Sequence, residues 1–406
     1  MNSILQCLFS VGPLLAYFAA GSFKSDLNPS SCNKGLLARA FADIAREAMD
    51  ADGAHPPVIA PSALKRQVER WAPQFAGYDQ HDAQEFMRFL LDGLHEETNR
   101  GSPTRFTYTD AEFDALSDAE KATVSWNRYL RFNSSFIFDL FGGQLESTVT
   151  CLACGHKSVT YDAFWDLSVP VAAAHAGRPS APFASLCDCL DAYFAQELLD
   201  EGYRCDACKV PRPAKKRLRV MRAPHVLVVH LKRFSVSPIS GLPERKLDTP
   251  ISFPLDLLSL DPFASSLAPP PSHAQHHPYA QSPSPPSSGP QSPHPCILAS
   301  PVSVPGTPPS PVSPVSAFAA PLSAPASAAA SRAQTPHARR PWTYSLVAIS
   351  NHSGSLGGGH YTAITKSFDD LEWYSKNDSS ATRASTSSAA ACASSAYILF
   401  YQRTPA

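Results

Sequence analysis

No uninterrupted apolar run in the 406 residues approaches the ~20 that a membrane-spanning helix needs, so no membrane association is expected. The apolar start, Met1 to Phe9, has no basic residue ahead of it and makes a poor secretory signal. Nor is there an excess of charge of one sign. Thirty-four Lys and Arg face 35 Asp and Glu, a formal net charge of -1. That balance gives no pull toward nucleic acid or an anionic surface, so nucleic acid is not an expected partner. A cytoplasmic or nuclear monomer is expected. In so long a chain without a secretion signal, the ten cysteines are expected as reduced thiols.

One stretch lacks what a packed domain needs. Residues 261–340 contain no Trp, a single acidic residue (Asp261) and 20 of the chain's 39 prolines. Such a segment cannot bury enough apolar surface to offset its ordering entropy and is expected to be a disordered insert. Loop-closure entropy grows only logarithmically with length, so residues 1–260 and 341–406 are expected to fold together as one domain around it. The Ser/Ala-rich tract 379–395 reads as a loop.

What is present is a mixed pattern. Residues 82–97 place Phe86, Phe89, Leu90 and Leu94 on one helical face, with Asp82 and Glu85 in a capping arrangement. Residues 2–9 also read as helix. Strands are expected at 225–234, 343–350, 361–366 and 396–401, where β-branched and aromatic residues concentrate. Early helices followed by many strands indicate an α+β fold.

Four cysteines form two C-x-x-C pairs, Cys151/Cys154 and Cys205/Cys208, fifty residues apart. A two-residue gap lets both sulfurs face one ion, and two such pairs complete a tetrahedral thiolate shell. One structural zinc ion held by these four residues is expected, at hairpin tips brought together by a sheet. Such a closed shell leaves no position for substrate.

Further on, His352 and His360 flank the glycines at 357–359, followed by Tyr361. Glycines there allow a backbone to pass close to an extended peptide. Asn377 or Asp378 could accept a hydrogen bond from one nitrogen of His360 and leave the other free as a base, the orienting half of a Cys-His-Asn triad.

Taken in order, these segments resemble the ubiquitin-specific protease family of deubiquitinases. MNSILQCL at the start resembles the tail of that family's Cys box, and QHDAQEF at 80–86 its Gln-Asp-Ala-Gln-Glu-Phe box. FWDLSVPV at 164–171, HLKRF at 230–234, GGHYTA at 358–363 and WYSKNDSS at 373–380 follow in the family's order. The resemblance implies a papain-like thumb and palm with zinc-bearing, β-rich fingers at roughly 140–235. It implies thiol-dependent hydrolysis after the C-terminal glycine of ubiquitin, with ubiquitin and ubiquitinated proteins as partners and no catalytic cofactor. It makes His360 the general base, Asn377 its orienting residue and Asp378 a polar support. Asp82 and Tyr361 correspond to positions that contact the ubiquitin tail.

The family's nucleophilic Cys stands two places before the residue that is Met1 here, so the chain as written is expected to be inactive. An inactive ubiquitin-binding protein is the alternative. Cys7 falls two turns into the first helix and reads as a small core residue. The basic run Lys215-Lys216-Arg217-Leu218-Arg219 reads as a solvated edge strand of the fingers.

Overall fold

A computed structural model describes residues 1–50, 58–77, 79–102, 109–172, 183–200, 202–236, 243–269, 342–355 and 358–404. The first part is helical: α1 (Asn2–Leu8), α2 (Gly12–Ala19), α3 (Leu36–Asp50), α4 (Ser62–Trp71), α5 (Ala83–Glu97), α6 (Asp110–Asp114), α7 (Asp118–Phe132) and α8 (Phe136–Phe141). Several starts are fixed by side-chain oxygens that satisfy first-turn N–H groups. Asp82 accepts from the N–H of Gln84 and Glu85 to open α5. Ser117 and Glu120 close a reciprocal capping box on α7. The start of α3 is held from a distance, because the buried Glu97 carboxylate accepts from the N–H groups of Leu37 and Ala38 at 3.1 and 2.6 Å. Along α5, Phe86, Leu90 and Leu94 are buried and Phe89 packs against them.

The rest alternates strands with short helices: β1 (Gly143–Cys151), β2 (Lys157–Phe164), β3 (Leu167–Pro170), α9 (Leu186–Phe194), β4 (Glu197–Leu199), β5 (Ala214–Arg222), β6 (Val226–Lys232), β7 (Phe234–Val236), β8 (Pro243–Lys246) and β9 (Leu258–Ser259). After residue 341 come β10 (Thr343–Ser355), β11 (Gly358–Lys366), β12 (Trp373–Asn377), β13 (Ser380–Ala384), α10 (Thr386–Ala390) and β14 (Ala396–Arg403). One sheet runs β2-β1-β5-β4, and a larger one runs β13-β12-β11-β10-β14-β6-β3 with β9 on β10. Strands from both sides of 270–341 thus share hydrogen bonds: β14 pairs antiparallel with β6, and β10 with β9.

The large sheet is buried on both faces, which explains why its middle strands are apolar at consecutive positions rather than alternating. On β6, Val226 and Val228 pack into the core formed by the N-terminal helices. Leu227, Val229 and Leu231 pack into a second core with α9 and Trp342. Burying one such side chain is worth about 1.5–3 kcal/mol, so a one-residue slip of this strand would exchange the two sets.

Three sequence expectations are corrected. Residues 261–269 belong to the packed domain and not to the insert. Phe263 is buried and stacks on Phe194 at 4.7 Å, and the Asp261 carboxylate accepts from the N–H of Trp342. Composition missed this because the segment is short and proline-flanked. Residues 270–341 lie outside the described residues. The Ser/Ala tract is not a loop throughout. It forms β13 and α10, the latter opened by Ser385, whose Oγ accepts from the Ser388 N–H. The basic run is an edge strand only in part: β4 pairs with Ala214, Lys215 and Lys216, whereas Arg217, Leu218 and Arg219 pair with β1 alone.

Arg233 is fully buried and donates to four backbone carbonyls: Ala396 (2.6 Å), Leu247 (2.9 Å), Thr249 (2.7 Å) and Ala393 (2.7 Å). It ties the end of β6 to the segment that follows β8 and to the chain entering β14. Arg233→Ala is expected to leave these acceptors dry and to destabilise the chain by about 3 kcal/mol or more, measured by urea unfolding. A change under about 1 kcal/mol would show that solvent reaches those carbonyls.

Candidate active site and cysteine cluster

His360 sits on β11 near the end of the β10–β11 ladder, in register with Ser353 and two pairs from the last, Ser355 with Gly358. Its Nε2 lies 2.6 Å from Oδ1 of Asn377, the last residue of β12. The adjacent Asp378 turns the chain into β13 with φ +48°, a left-handed conformation that costs a non-glycine residue energy. That turn is tied to the first helix. Asn2 Nδ2 donates to Asp378 Oδ1 at 2.7 Å, and Gln6 Nε2 donates to the Asp378 carbonyl at 3.0 Å. Asp378 Oδ2 stands 3.9 Å from His360 Nε2. So the sheet that carries the imidazole and its orienting amide is anchored to the start of α1. With Nε2 occupied by Asn377, Nδ1 is the nitrogen left for proton transfer.

His352, the other candidate base, is buried and makes no bond to Asn377 or Asp378. Burial holds its imidazole below the usual histidine range, and Lys246 adds to that. Its ring lies against Tyr361 (4.6 Å) and Phe234 (5.4 Å). It also explains one glycine. A Cβ on Gly359 would come within 2.1 Å of His352 Nε2, whereas a Cβ on Gly358 would meet nothing within 4 Å. Gly359→Ala is therefore expected to push β11 away and misplace His360, lowering turnover about 100-fold in protein that carries the nucleophilic cysteine. Gly358→Ala should change it less than about threefold. Equal effects from the two would remove the steric account. Leu356 and Gly357 lie outside the described residues.

Asp82 and Tyr361 do come together, at the junction of α5 with the sheet. Asp82 both caps α5 and accepts from the Tyr397 hydroxyl. Burial and the Asp82 charge push the Tyr361 and Tyr397 phenols well above their usual range, keeping both neutral donors. Sequence reading missed three members of this cluster. Tyr397 reads as one more apolar strand residue. His230 bonds Ser168 Oγ at 2.9 Å. Asp166 takes Gln84 (3.1 Å) and Arg88 (3.0 Å), linking the FWDLSVPV and QHDAQEF segments. The only signal for His230 and Asp166 was membership in the quoted motifs, and Tyr397 had none.

Cys7 is fully buried. Desolvation raises its thiol far above the range of a reactive cysteine, so it is a core residue and no nucleophile.

The four predicted cysteines meet. Cys151 ends β1, Cys154 lies in the turn before β2, and Cys205 and Cys208 lie in the turn that precedes β5. Their sulfurs are all within 4.8 Å of one another, with Cys154 and Cys205 at 3.6 Å. Tetrahedral Zn–S bonds of about 2.3 Å require S···S edges of about 3.8 Å, so the cluster has the size of a metal shell. The backbone N–H of Cys154 pulls the Cys151 thiol down to about 7. Hydrogen bonding to Cys154 pushes Cys208 up to about 12. The group thus yields its first thiolate readily, as metal capture requires.

An imidazole oriented by an amide beside a helix start, with a separate four-cysteine cluster at the tip of a β-sheet, is the arrangement that the resemblance to the ubiquitin-specific proteases implies. The family model for ubiquitin carboxyl-terminal hydrolase matches residues 1–401. The chain is 35% identical over 404 residues to ubiquitin carboxyl-terminal hydrolase 2 of Rattus norvegicus, covering 99% of this chain and 52% of that protein. It is 31% identical over 422 residues to ubiquitin carboxyl-terminal hydrolase 21 of Homo sapiens, covering 99% and 59%. Among solved structures it is similar to the SAGA Ubp8/Sgf11/Sus1/Sgf73 DUB module bound to ubiquitin aldehyde. There the TM-score is 0.61 at 22% identity, over 100% of this chain and 67% of that one. The chain therefore belongs to the ubiquitin carboxyl-terminal hydrolase family of ubiquitin-specific proteases, and its fold is the papain-like one of that family. It spans about half the length of the curated relatives it matches.

Proposed function

We propose that this domain is of the type that hydrolyses the peptide or isopeptide bond after the C-terminal glycine of ubiquitin, by a Cys-His-Asn triad whose Cys is absent from this chain and whose place in the family is two residues ahead of the position of Met1. The observation that carries this reading is the 2.6 Å contact between His360 Nε2 and Asn377 Oδ1, on a turn fastened to the residues that open α1. A thiol at that point would lie at the helix start, where unpaired N–H groups favour a thiolate. His360 Nδ1 takes the thiol proton as sulfur attacks the glycine carbonyl carbon. It then gives the proton to the departing amine, and a thioester remains. Water, deprotonated by the same nitrogen, releases ubiquitin. Asn377 holds the ring in one orientation through this cycle without carrying charge. Asp82, Tyr361 and the Gly358–Gly359 backbone would line the path of an extended Gly-Gly tail, which has no side chains to clash there.

The four cysteines would hold one structural zinc ion. Zinc there would fix the finger tip and take no part in bond cleavage. Incubating the protein with a fluorogenic ubiquitin C-terminal amide tests the reading. Turnover that a ubiquitin aldehyde blocks is expected when the cysteine is present. Ubiquitin capture without any turnover would favour the alternative of an inactive ubiquitin-binding domain, and failure of both would end the proposal.

A further inference from the structure

β11 carries His360 on a stretch that is paired along one side only. Its ladder with β10 runs as far as Gly358 opposite Ser355. Its ladder with β12 stops at Ala363 opposite Lys376. From Gly358 to Thr362, the edge facing away from β10 therefore has no strand beside it among the described residues. Backbone groups on such an edge are left to water, and a strand end held on one side frays readily. One side chain stands where the missing strand would be. The Gly359 N–H, one residue before His360, donates to Oε1 of Gln80 at 2.7 Å. That acceptor is mounted on a fixed segment. Gln80 lies two residues ahead of Asp82, which caps α5 and accepts from the Tyr397 hydroxyl on β14. Gly359 is also confined from another side, since the His352 ring leaves no room for a Cβ.

We infer that Gln80 is a positioning residue for the general base, acting through Gly359 to hold the end of β11 so that His360 stays on Asn377. A role in stability alone fits less well. Gln80 is exposed, and fixing a long side chain at the surface costs rotamer entropy. The Asp82–Tyr397 bond already fastens α5 to the sheet, so a second link adds little to that. What Gln80 adds is local, because it sets the place of the backbone next to the imidazole. Without its acceptor the strand end samples positions in which the ring leaves the amide, and misplacement by about 1 Å is enough to slow a reaction. The kinetic consequence rests on the hydrolase reading above, whereas the effect on the strand does not.

Two variants test this. Gln80→Met keeps the length of the side chain without the acceptor, and Gln80→Glu keeps an acceptor. In the chain as it stands, exchange of the Gly359 amide followed by NMR should be about fivefold or more faster in Gln80→Met and within about twofold of the unmodified protein in Gln80→Glu. The melting temperature should not fall, since the Asp82–Tyr397 link is untouched. In protein that carries the nucleophilic cysteine, kcat for a ubiquitin C-terminal amide should drop about 10-fold in Gln80→Met, with KM within about twofold, and recover to within about threefold in Gln80→Glu. Unchanged Gly359 exchange in Gln80→Met would overturn the inference whatever turnover does. So would a rise in KM at constant kcat, which would make Gln80 a substrate contact instead. Absence of turnover in the unmodified, cysteine-bearing protein would count against the hydrolase reading, and Gly359 exchange would then decide the role of Gln80 alone.

Discussion

Replacing His360 with alanine is expected to lower kcat for a ubiquitin C-terminal amide by about 10³-fold or more, in protein that carries the nucleophilic cysteine ahead of α1. Affinity for ubiquitin should change little, because the imidazole moves a proton and fills no pocket. Its side chain is 52% exposed, so the folded state should also be insensitive to its loss. Asn377→Ala removes the acceptor at Nε2 and lets the ring rotate. A drop of about 10- to 100-fold is expected from misorientation alone. Asn377→Asp keeps the acceptor and adds a charge that favours the imidazolium, so activity should stay within about threefold of the starting protein. Comparable turnover by His360→Ala and unmodified protein would place the base elsewhere. His352 would not be the substitute, since burial and its distance from the amide disqualify it.

The second large effect concerns the cysteine cluster. Cys205→Ser is expected to abolish binding of the one zinc ion proposed for this cluster and to melt the turns that precede β2 and β5. Structural zinc sites in small peptides contribute on the order of 10 kcal/mol of apparent binding free energy, most of it realised as folding. Here the tip alone would depend on such an ion, because the large sheet and its two cores are built from other residues. Amide exchange should therefore rise in residues 148–160 and 203–216 while the segment around His360 stays protected. Cys187→Ser is the control. That thiol is free and exposed on α9, and its loss should leave zinc content at one per chain. Metal analysis that finds no zinc in the unmodified protein would remove this part of the account.

Much of this was readable in the sequence, for reasons that differ between regions. The helix at 82–97 and the strand at 225–234 carry local signals, a cap with a 3.6-residue stripe and an apolar β-branched run. The cysteines were legible because metal geometry constrains spacing so tightly. The His360–Asn377 pairing was only suggested, since sixteen intervening residues do not say that β11 and β12 are neighbours. Their antiparallel register does, with Ala363 opposite Lys376. Other features left no trace. The roles of Tyr397 and Glu97 depend on partners 315 and about 60 residues away. Composition also misjudged two segments. Residues 261–269 and 380–390 are rich in Ser and Ala, which permit disorder without requiring it, and in the first a contact such as Phe263 on Phe194 helps to order the chain.

The unity of His360 and Asn377 is tested most directly by a double-substitution cycle on turnover. If the amide acts only by holding the imidazole, then His360→Ala with Asn377→Ala will be no slower than His360→Ala alone. A double variant slower by the full product of the two separate losses would mean that Asn377 works independently, and the pairing seen at 2.6 Å would not be the catalytic one.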